Sequence, residues 1–333
     1  MSQTFVHLHV HTEYSLVDST VRIPALMQSC AEERMPAVAL TDKNNLFGMV
    51  KFYSKAVAAG VKPLIGADIR IIDDGDPDRP YTLILLCQNN DGYRNLSRLL
   101  TRAFVEERYR GDAFVRRHWL TAEACEGLIA LSGGIHGDVG RALALDHPDD
   151  ARERLQSWLG VFGNRFYLEL IRTGRPGEEN CVQGSLRLAG ELRVPVVASN
   201  DVRFIAADDF NAHEARVCIH EGRNLADADR PRHYSPQQYL RSAEEMAALF
   251  ADVPQALENS VEIAKRCNLD LRLGNSVLPA FPVPAGQTEA EFLESEARRG
   301  LDARLAARAE AGSGSESTPA APYLARLEKE LEV

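Results

Sequence analysis

Residues 5–18 read F-V-H-L-H-V-H-T-E-Y-S-L-V-D, and their first half alternates as a β-strand does. In an extended chain successive side chains point to opposite faces. Val6, Leu8 and Val10 then share one face, and His7, His9 and His11 the other. Three imidazoles on a strand face make a poor core. They make a good donor surface, because neutral imidazole is the commonest metal ligand and a two-residue step is a workable bite. Taken singly, each histidine is better read as a buried group with its own hydrogen-bond partner. Together, with Asp18 close behind, they mark a polar, site-forming strand end.

Outward from this stretch, apolar runs suited to strands recur at Ala37–Thr41, Lys62–Ile72, Thr82–Cys87, Leu128–Ser132, Phe166–Leu170 and Pro195–Ser199. Helical patterns lie between most of them, at Ile23–Arg34, Leu46–Ala59, Tyr93–Arg102, Asp150–Phe162 and Glu178–Leu192. Strands alternating with helices predict an α/β fold with a parallel sheet, either doubly wound or closed into a barrel. Three units resemble one another: M-P-A-V-A-L-T-D ends at Asp42, K-P-L-I-G-A-D at Asp68 and V-P-V-V-A-S-N-D at Asp201. Each has a proline at the strand entrance, where a missing N–H is tolerated. Each then has a carboxylate where the strand should stop, the end at which α/β folds gather function. An aspartate there can also simply cap the next helix; the repetition favours a site.

Composition narrows the class. The chain has 333 residues, 45% hydrophobic and 26% charged, enough for one large α/β domain or two ordinary ones. No apolar run approaches the roughly 20 residues of a membrane span, and M-S-Q-T-F is not a signal peptide. Six scattered cysteines without a C-x-x-C read as reduced thiols of a cytoplasmic protein. A net charge of −10 argues against tight binding of a phosphate backbone by this piece alone.

Several longer stretches carry a resemblance. H-L-H-V-H-T-E-Y-S-L-V-D, A-L-T-D-K-N-N-L-F-G, G-V-K-P-L-I-G-A-D, L-S-G-G, L-E-L-I-R-T-G-R-P, S-N-D-V-R-F and R-P-R-H-Y-S-P-Q-Q-Y resemble the polymerase-and-histidinol-phosphatase (PHP) domain of bacterial replicative DNA polymerase III alpha subunits. The likeness runs in order over about residues 3 to 300. It implies a distorted seven-stranded (β/α)7 TIM-like barrel with a C-terminal helical extension, and a metal pocket at the strand ends in intact members. It also implies a role in DNA replication, with the rest of the polymerase (palm and thumb) and the proofreading exonuclease (epsilon) subunit as partners, and DNA reached through the full-length polymerase.

Carried over residue by residue, the family's ligand set is broken. His9 and His11 match its H-x-H pair, Asp18 the acidic ligand closing that motif, and Asp201 the aspartate of the last motif. Asp68 stands where intact members have Glu. The family's T-D-H is T-D-K here, so Lys43 follows Asp42 in place of a histidine, and its D-x-H is D-V-R, which puts Arg203 in place of another. A further histidine aligns near Thr82, and the ligand after L-S-G aligns with Gly134. Ammonium and guanidinium groups offer no lone pair to a metal. The expectation is that Lys43 and Arg203 replace the metals and pair with Asp18, Asp42, Asp68 and Asp201, leaving at most a weak single site for zinc, manganese or magnesium at His9, His11 and Asp201. No other cofactor is expected. The alternative for both cations is that they reach out to solvent as ordinary surface groups.

Other signals are weaker. His213, Glu214, His220 and Glu221 lie on a predicted helix, but their histidines are seven residues apart, too far to share an ion. His136 falls on a loop beyond the fifth strand and reads as lying away from the pocket, with an approach to it as the alternative. The run from Arg102 to His118 mixes Arg108, Arg110, Arg116 and Arg117 with Phe104, Tyr109 and Phe114, which suits a solvated face better than a DNA contact. The predicted division is a PHP domain over 1–270, a proline-rich connector over 271–287, and a helical extension and linker over 288–333. Ala311–Pro322 reads as a mobile small-residue linker, and the pattern from Tyr323 stops without a helix-end signal. The palm domain with its catalytic aspartates is expected to follow, so this piece is not expected to polymerise DNA. Two functions remain: a catalytically silent scaffold, or an active metal-dependent phosphoesterase or 3′–5′ exonuclease.

Overall fold

Six strands form where apolar runs were expected, five of them close to the expected bounds and β3 beginning six residues early: β1 (Ala37–Lys43), β2 (Lys62–Asp73), β3 (Asp76–Cys87), β4 (Leu128–Leu131), β5 (Phe166–Ile171) and β6 (Val196–Ser199). They come from a computed structural model that describes residues 4–73, 76–109, 112–227, 229–276, 278–311 and 320–332. They lie side by side in chain order, and a short seventh strand, Val115–Arg116, pairs with β2 off this path. The helices include α1 (Ile23–Glu32), α2 (Met49–Ala58), α3 (Asn90–Glu106), α4 (Asp138–Ala144), α5 (Pro148–Phe162) and α6 (Glu178–Leu192).

The sheet is mixed rather than parallel. β1–β2, β4–β5 and β5–β6 are parallel, but β3 is antiparallel to both neighbours. Only residues 74–75 separate β2 from β3, and a parallel return needs a crossover of about a dozen residues.

The stretch expected to be the first strand joins the two edges of this sheet without forming a regular strand itself. His7 bridges Val38 of β1, and Val10 bridges Val202 just beyond β6. Ala39 N–H donates to the His7 carbonyl at 2.9 Å, whereas Thr41 N–H skips His9 and donates to Val10 at 2.9 Å. Three residues therefore oppose two, which is a bulge, and a bulge reverses the alternation. The freed His9 carbonyl accepts Val202 N–H at 3.0 Å. As a result Val6 and Leu8 join one apolar cluster and Val10 another. His7 leaves its expected partners and bonds the Arg241 carbonyl at 2.8 Å.

Alternate strand residues fill these two clusters. Ala37, Ala39, Leu64, Ile84, Leu86, Ile129, Leu131 and Val197 pack with Ile263 and Ala264 of the helix Pro254–Arg266. Val38, Leu40, Ile65, Leu85, Leu168 and Ala198 share the other cluster with Phe52 of α2, Leu96 of α3 and Trp158 of α5. Strands buried on both faces read as continuous apolar runs, which is how they look in the sequence. Phe52 and Trp158 are fully enclosed, each contributing on the order of 2–3 kcal/mol.

One close approach depends on glycine. Gly92, in the first turn of α3, lies against Gly127 so closely that a Cβ would sit 1.9 Å from the Gly127 carbonyl oxygen. Gly92→Ala is expected to destabilise the fold by about 2 kcal/mol or more, read from the urea midpoint; an unchanged midpoint would show that the two segments can part.

The chain divides into two compact units, residues 1–271 and 272–333. The second has helices Glu289–Ala311 and Ala321–Leu331, the first begun by a reciprocal cap between Thr288 and Glu291. Most of the linker expected over Ala311–Pro322 lies outside the described residues. No helix among the described residues is long and apolar enough to cross a membrane. The six cysteines are free and buried.

Candidate metal centre

The bulge, the interiors of β2 and β5 and the segment just after β6 bring His9, His11, Asp68, Glu169 and Asp201 together, all buried. The first motif is held by the end of β1. Asp42 accepts Thr12 N–H at 2.6 Å, Thr12 Oγ1–H at 2.8 Å and Ser15 Oγ–H at 2.6 Å, fixing the 3-10 turn Glu13–Asp18. Asp42 thus spends its oxygens on backbone and hydroxyl donors rather than on Lys43 or Arg203. Gly134 opens the turn Gly134–His136 at φ +51°; a side chain there would strike Ile171 at 2.7 Å.

Hydrogen-bond bookkeeping assigns the protons. Ser15 gives its only hydrogen to Asp42 and accepts Lys43 N–H at 3.0 Å, so His11 Nδ1, 2.9 Å away, must donate to it. His11 Nε2 then carries a lone pair. His9 Nδ1 donates to Glu169 Oε1 at 2.9 Å, the carboxylate–imidazole support that metal-binding histidines use. The two Nε2 atoms are 3.2 Å apart, a contact satisfied when His9 is an imidazolium donating to His11. Burial alone would lower the His9 pKa, but Glu169, Asp201 and Asp68 outweigh it and lift it to about 10. Burial and the Arg203 charge lower that of His11. Asp68 and Asp201 are held well below the carboxylate range against their burial, Asp68 by the two histidines and Asp201 by Arg203 first, then His9 and Arg175.

Three cations meet the rim: Lys43, Arg203 and Arg175. Lys43 Nζ lies 2.9 Å from Asp18 Oδ2, and Tyr234 OH donates to Asp18 Oδ1. Arg203 is buried and puts Nη2 and Nε 2.7 and 2.8 Å from Asp201 Oδ1. Arg175 Nη1 donates to Asp201 Oδ2 at 3.1 Å, beside Gln238 Nε2 at 2.8 Å. Both oxygens of Asp201 are engaged: Oδ1 accepts from Arg203 Nε with Nη2 in ion-pair contact, and Oδ2 accepts from Arg175 and Gln238.

An ion can still be matched to part of the set. His9, His11 and Asp201 form a group able to hold a metal. Among His9 Nε2, His11 Nε2, Asp68 Oδ2 and Asp201 Oδ1, five separations are 3.2, 3.4, 3.5, 3.7 and 4.0 Å. Tetrahedral ligands at zinc distances stand about 3.4 Å apart. The donors therefore fit one ion, provided the His9 proton leaves and Arg203 yields Asp201 Oδ1. A second ion bridged by Asp201 finds both its oxygens occupied.

Glu169 was missed from the sequence, although a glutamate inside the apolar run F-Y-L-E-L-I is itself a signal. Arg175 and Tyr234 gave none, being ordinary residues of loops. His213 is buried and bonds the Asp18 carbonyl at 3.1 Å, and Glu214 pairs with Arg230, while His220 and Glu221 are exposed. In the basic-aromatic run Arg102 stacks on Trp119 at 3.9 Å and Arg116 pairs with Glu107 at 2.7 Å; Arg110 lies outside the described residues.

A model of the PHP domain matches residues 7–173, half of the chain. The chain belongs to the PHP domain family. This PHP chain is 50% identical over 306 residues to the DNA polymerase III subunit alpha of Pseudomonas fluorescens, covering 92% of this chain and 26% of that protein. It is 45% identical over 333 residues to the subunit of Pseudomonas aeruginosa, covering 100% and 28%, and 48% over 302 residues to that of Escherichia coli K12, covering 91% and 26%. The PHP chain thus spans about a quarter of the length of these relatives. Among solved structures, an amidohydrolase of Chromobacterium violaceum overlays with a TM-score of 0.43 at 13% identity, covering 64% of this chain and 97% of its own.

Proposed function

We propose that this PHP domain is the N-terminal module of a replicative DNA polymerase III alpha subunit and that it is catalytically silent. Its work is to stabilise the polymerase in DNA replication and to dock the proofreading exonuclease subunit. The observation that carries the silence is the engagement of Asp201, whose two oxygens take hydrogen bonds from Arg203, Arg175 and Gln238. Phosphoester hydrolysis by paired metals needs carboxylates that bridge ions about 3.5–4 Å apart, and both oxygens of this one already carry protein donors. The vestigial pocket then comprises His9, His11, Asp18, Asp42, Lys43, Asp68, Gly134, Asp201 and Arg203, with the catalytic residues of nucleotide transfer elsewhere in the polymerase.

A second reading, a metal-dependent phosphoesterase or 3′–5′ exonuclease, is favoured by the donor spacing around His9 and His11. An ion held by His9, His11, Asp68 and Asp201 would supply Lewis-acid activation of a phosphoester. Glu169 would hold the His9 tautomer, and Ser15 that of His11.

The readings separate in one assay. With manganese or zinc added, p-nitrophenyl phosphate and a labelled single strand are expected to stay intact beyond the level of the His9→Ala/Asp201→Ala control. Turnover that the double variant abolishes would replace the scaffold reading with the enzyme.

A further inference from the structure

Arg175 is surrounded by lone pairs in a way that the vestigial centre does not explain. Its Nη1 stands 3.0 Å from His136 Nε2 and 3.1 Å from Asp201 Oδ2, and its Nε 2.7 Å from Glu178 Oε1. A guanidinium has no lone pair, so His136 can only accept at that contact. The Asp201 and Glu178 side chains are 1% and 3% exposed, and that of Arg175 is 7% exposed. One imidazole and two enclosed carboxylates therefore aim lone pairs at a single cation, the mixed N/O donor set that zinc and manganese accept.

We propose that Arg175 is a cation built into a second ion position of the rim, and that removing its guanidinium leaves a divalent-metal site formed by His136, Asp201 and Glu178. This position is distinct from the one between His9 and His11, because it uses Asp201 Oδ2 where the other uses Oδ1. His136 reaches it on the 3-10 turn Gly134–His136, which follows left-handed Gly133 at φ +77°. Glu178 is set by Thr173, whose N–H and Oγ1–H donate to it at 2.6 and 2.7 Å. The ligands now stand at hydrogen-bond lengths; metal bonds of about 2.1 Å require each to close by about 1 Å into the space the guanidinium occupies. Arginine suits such a replacement because it keeps its charge at every accessible pH. The proposal deepens the reading of the rim as filled by built-in cations, and extends it to a residue that the broken ligand motifs do not include.

Arg175→Met keeps the length of the side chain and removes its charge. In EDTA this variant is expected to melt about 10 °C below wild type, since it strands buried carboxylates. Free zinc at a hundred times its Kd should return about 5 °C, with one equivalent of zinc retained after desalting. Arg175→Lys, which keeps the charge, should not respond to zinc. Adding His136→Ala to Arg175→Met should abolish the response. Should Arg175→Met be too unstable to melt, recovery of its native circular dichroism from urea with zinc and not with EDTA supports the proposal, and recovery with neither overturns it. A zinc gain in Arg175→Met that survives His136→Ala also overturns it. A zinc gain in the wild type, lost in His9→Ala, would count against the silent-scaffold reading instead, and the His136→Ala comparison would still decide Arg175.

Discussion

Arg203→Ala is expected to lower the melting temperature by roughly 10 °C, whereas EDTA is expected to leave the wild-type Tm unchanged. Arg203 is enclosed, and its guanidinium lies against an Asp201 carboxylate that is 1% exposed. Removing one partner of a buried pair leaves the other charged and uncompensated, a cost of about 3–5 kcal/mol. Asp68 and Glu169 share the same enclosure, and each has an oxygen without a partner among the described residues. The carboxylates left behind therefore repel one another with one cation fewer. If the fold relied on a bound ion, a chelator would act as the mutation does. Equal losses of Tm from EDTA and from Arg203→Ala would mean that an ion, not the guanidinium, neutralises Asp201.

Stability is expected to fall as the pH rises from about 6.5 towards 10, and His9 is the main cause. Its pKa in the folded protein, about 10, lies above the ordinary imidazole value of 6.5. Its contribution is thus complete below pH 6.5 and disappears as the pH climbs through 10. The acidic limb has the opposite sign. Asp18, Asp68 and Asp201 are all depressed, Asp18 by Lys43 and Arg203 against its burial. Their contribution is present above the ordinary carboxylate range near pH 4 and is lost as the pH drops through their folded values. Between these limbs lies a plateau. Urea unfolding of wild type and His9→Gln at pH 6, 8 and 10 isolates the histidine: the gap between them should narrow by on the order of 3 kcal/mol across that range. A gap that stays constant would show that His9 is neutral throughout, and would return its Nε2 lone pair to a metal.

Much of the barrel was readable in advance because its strands are buried on both faces and so appear as unbroken apolar runs. The helix expected at Glu178–Leu192 forms with those bounds, and β1 and β2 extend the expected runs by only a residue or two. The first strand was harder. Alternation alone put three histidines on one face, and a single unpaired residue at His9 moved His7 away to Arg241. A bulge leaves no mark in a hydrophobic pattern. Asp42 closes an apolar run in the sequence, as Asp68 and Asp201 do, yet β2 continues past Asp68 to Asp73, and Thr12 and Ser15 make Asp42 an anchor for the first motif.

The residue types alone settled that Lys43 and Arg203 cannot ligate a metal, since no fold can give an ammonium or guanidinium a lone pair for one. Tertiary structure decided which carboxylate each cation serves: Asp18 for Lys43, and Asp201 for Arg203 together with Arg175. That choice depends on ångström-scale distances between strand ends and loops far apart in the chain, such as the 26 residues between Arg175 and Asp201. Coulomb and hydrogen-bond energies change steeply over those distances, and sequence order does not encode them.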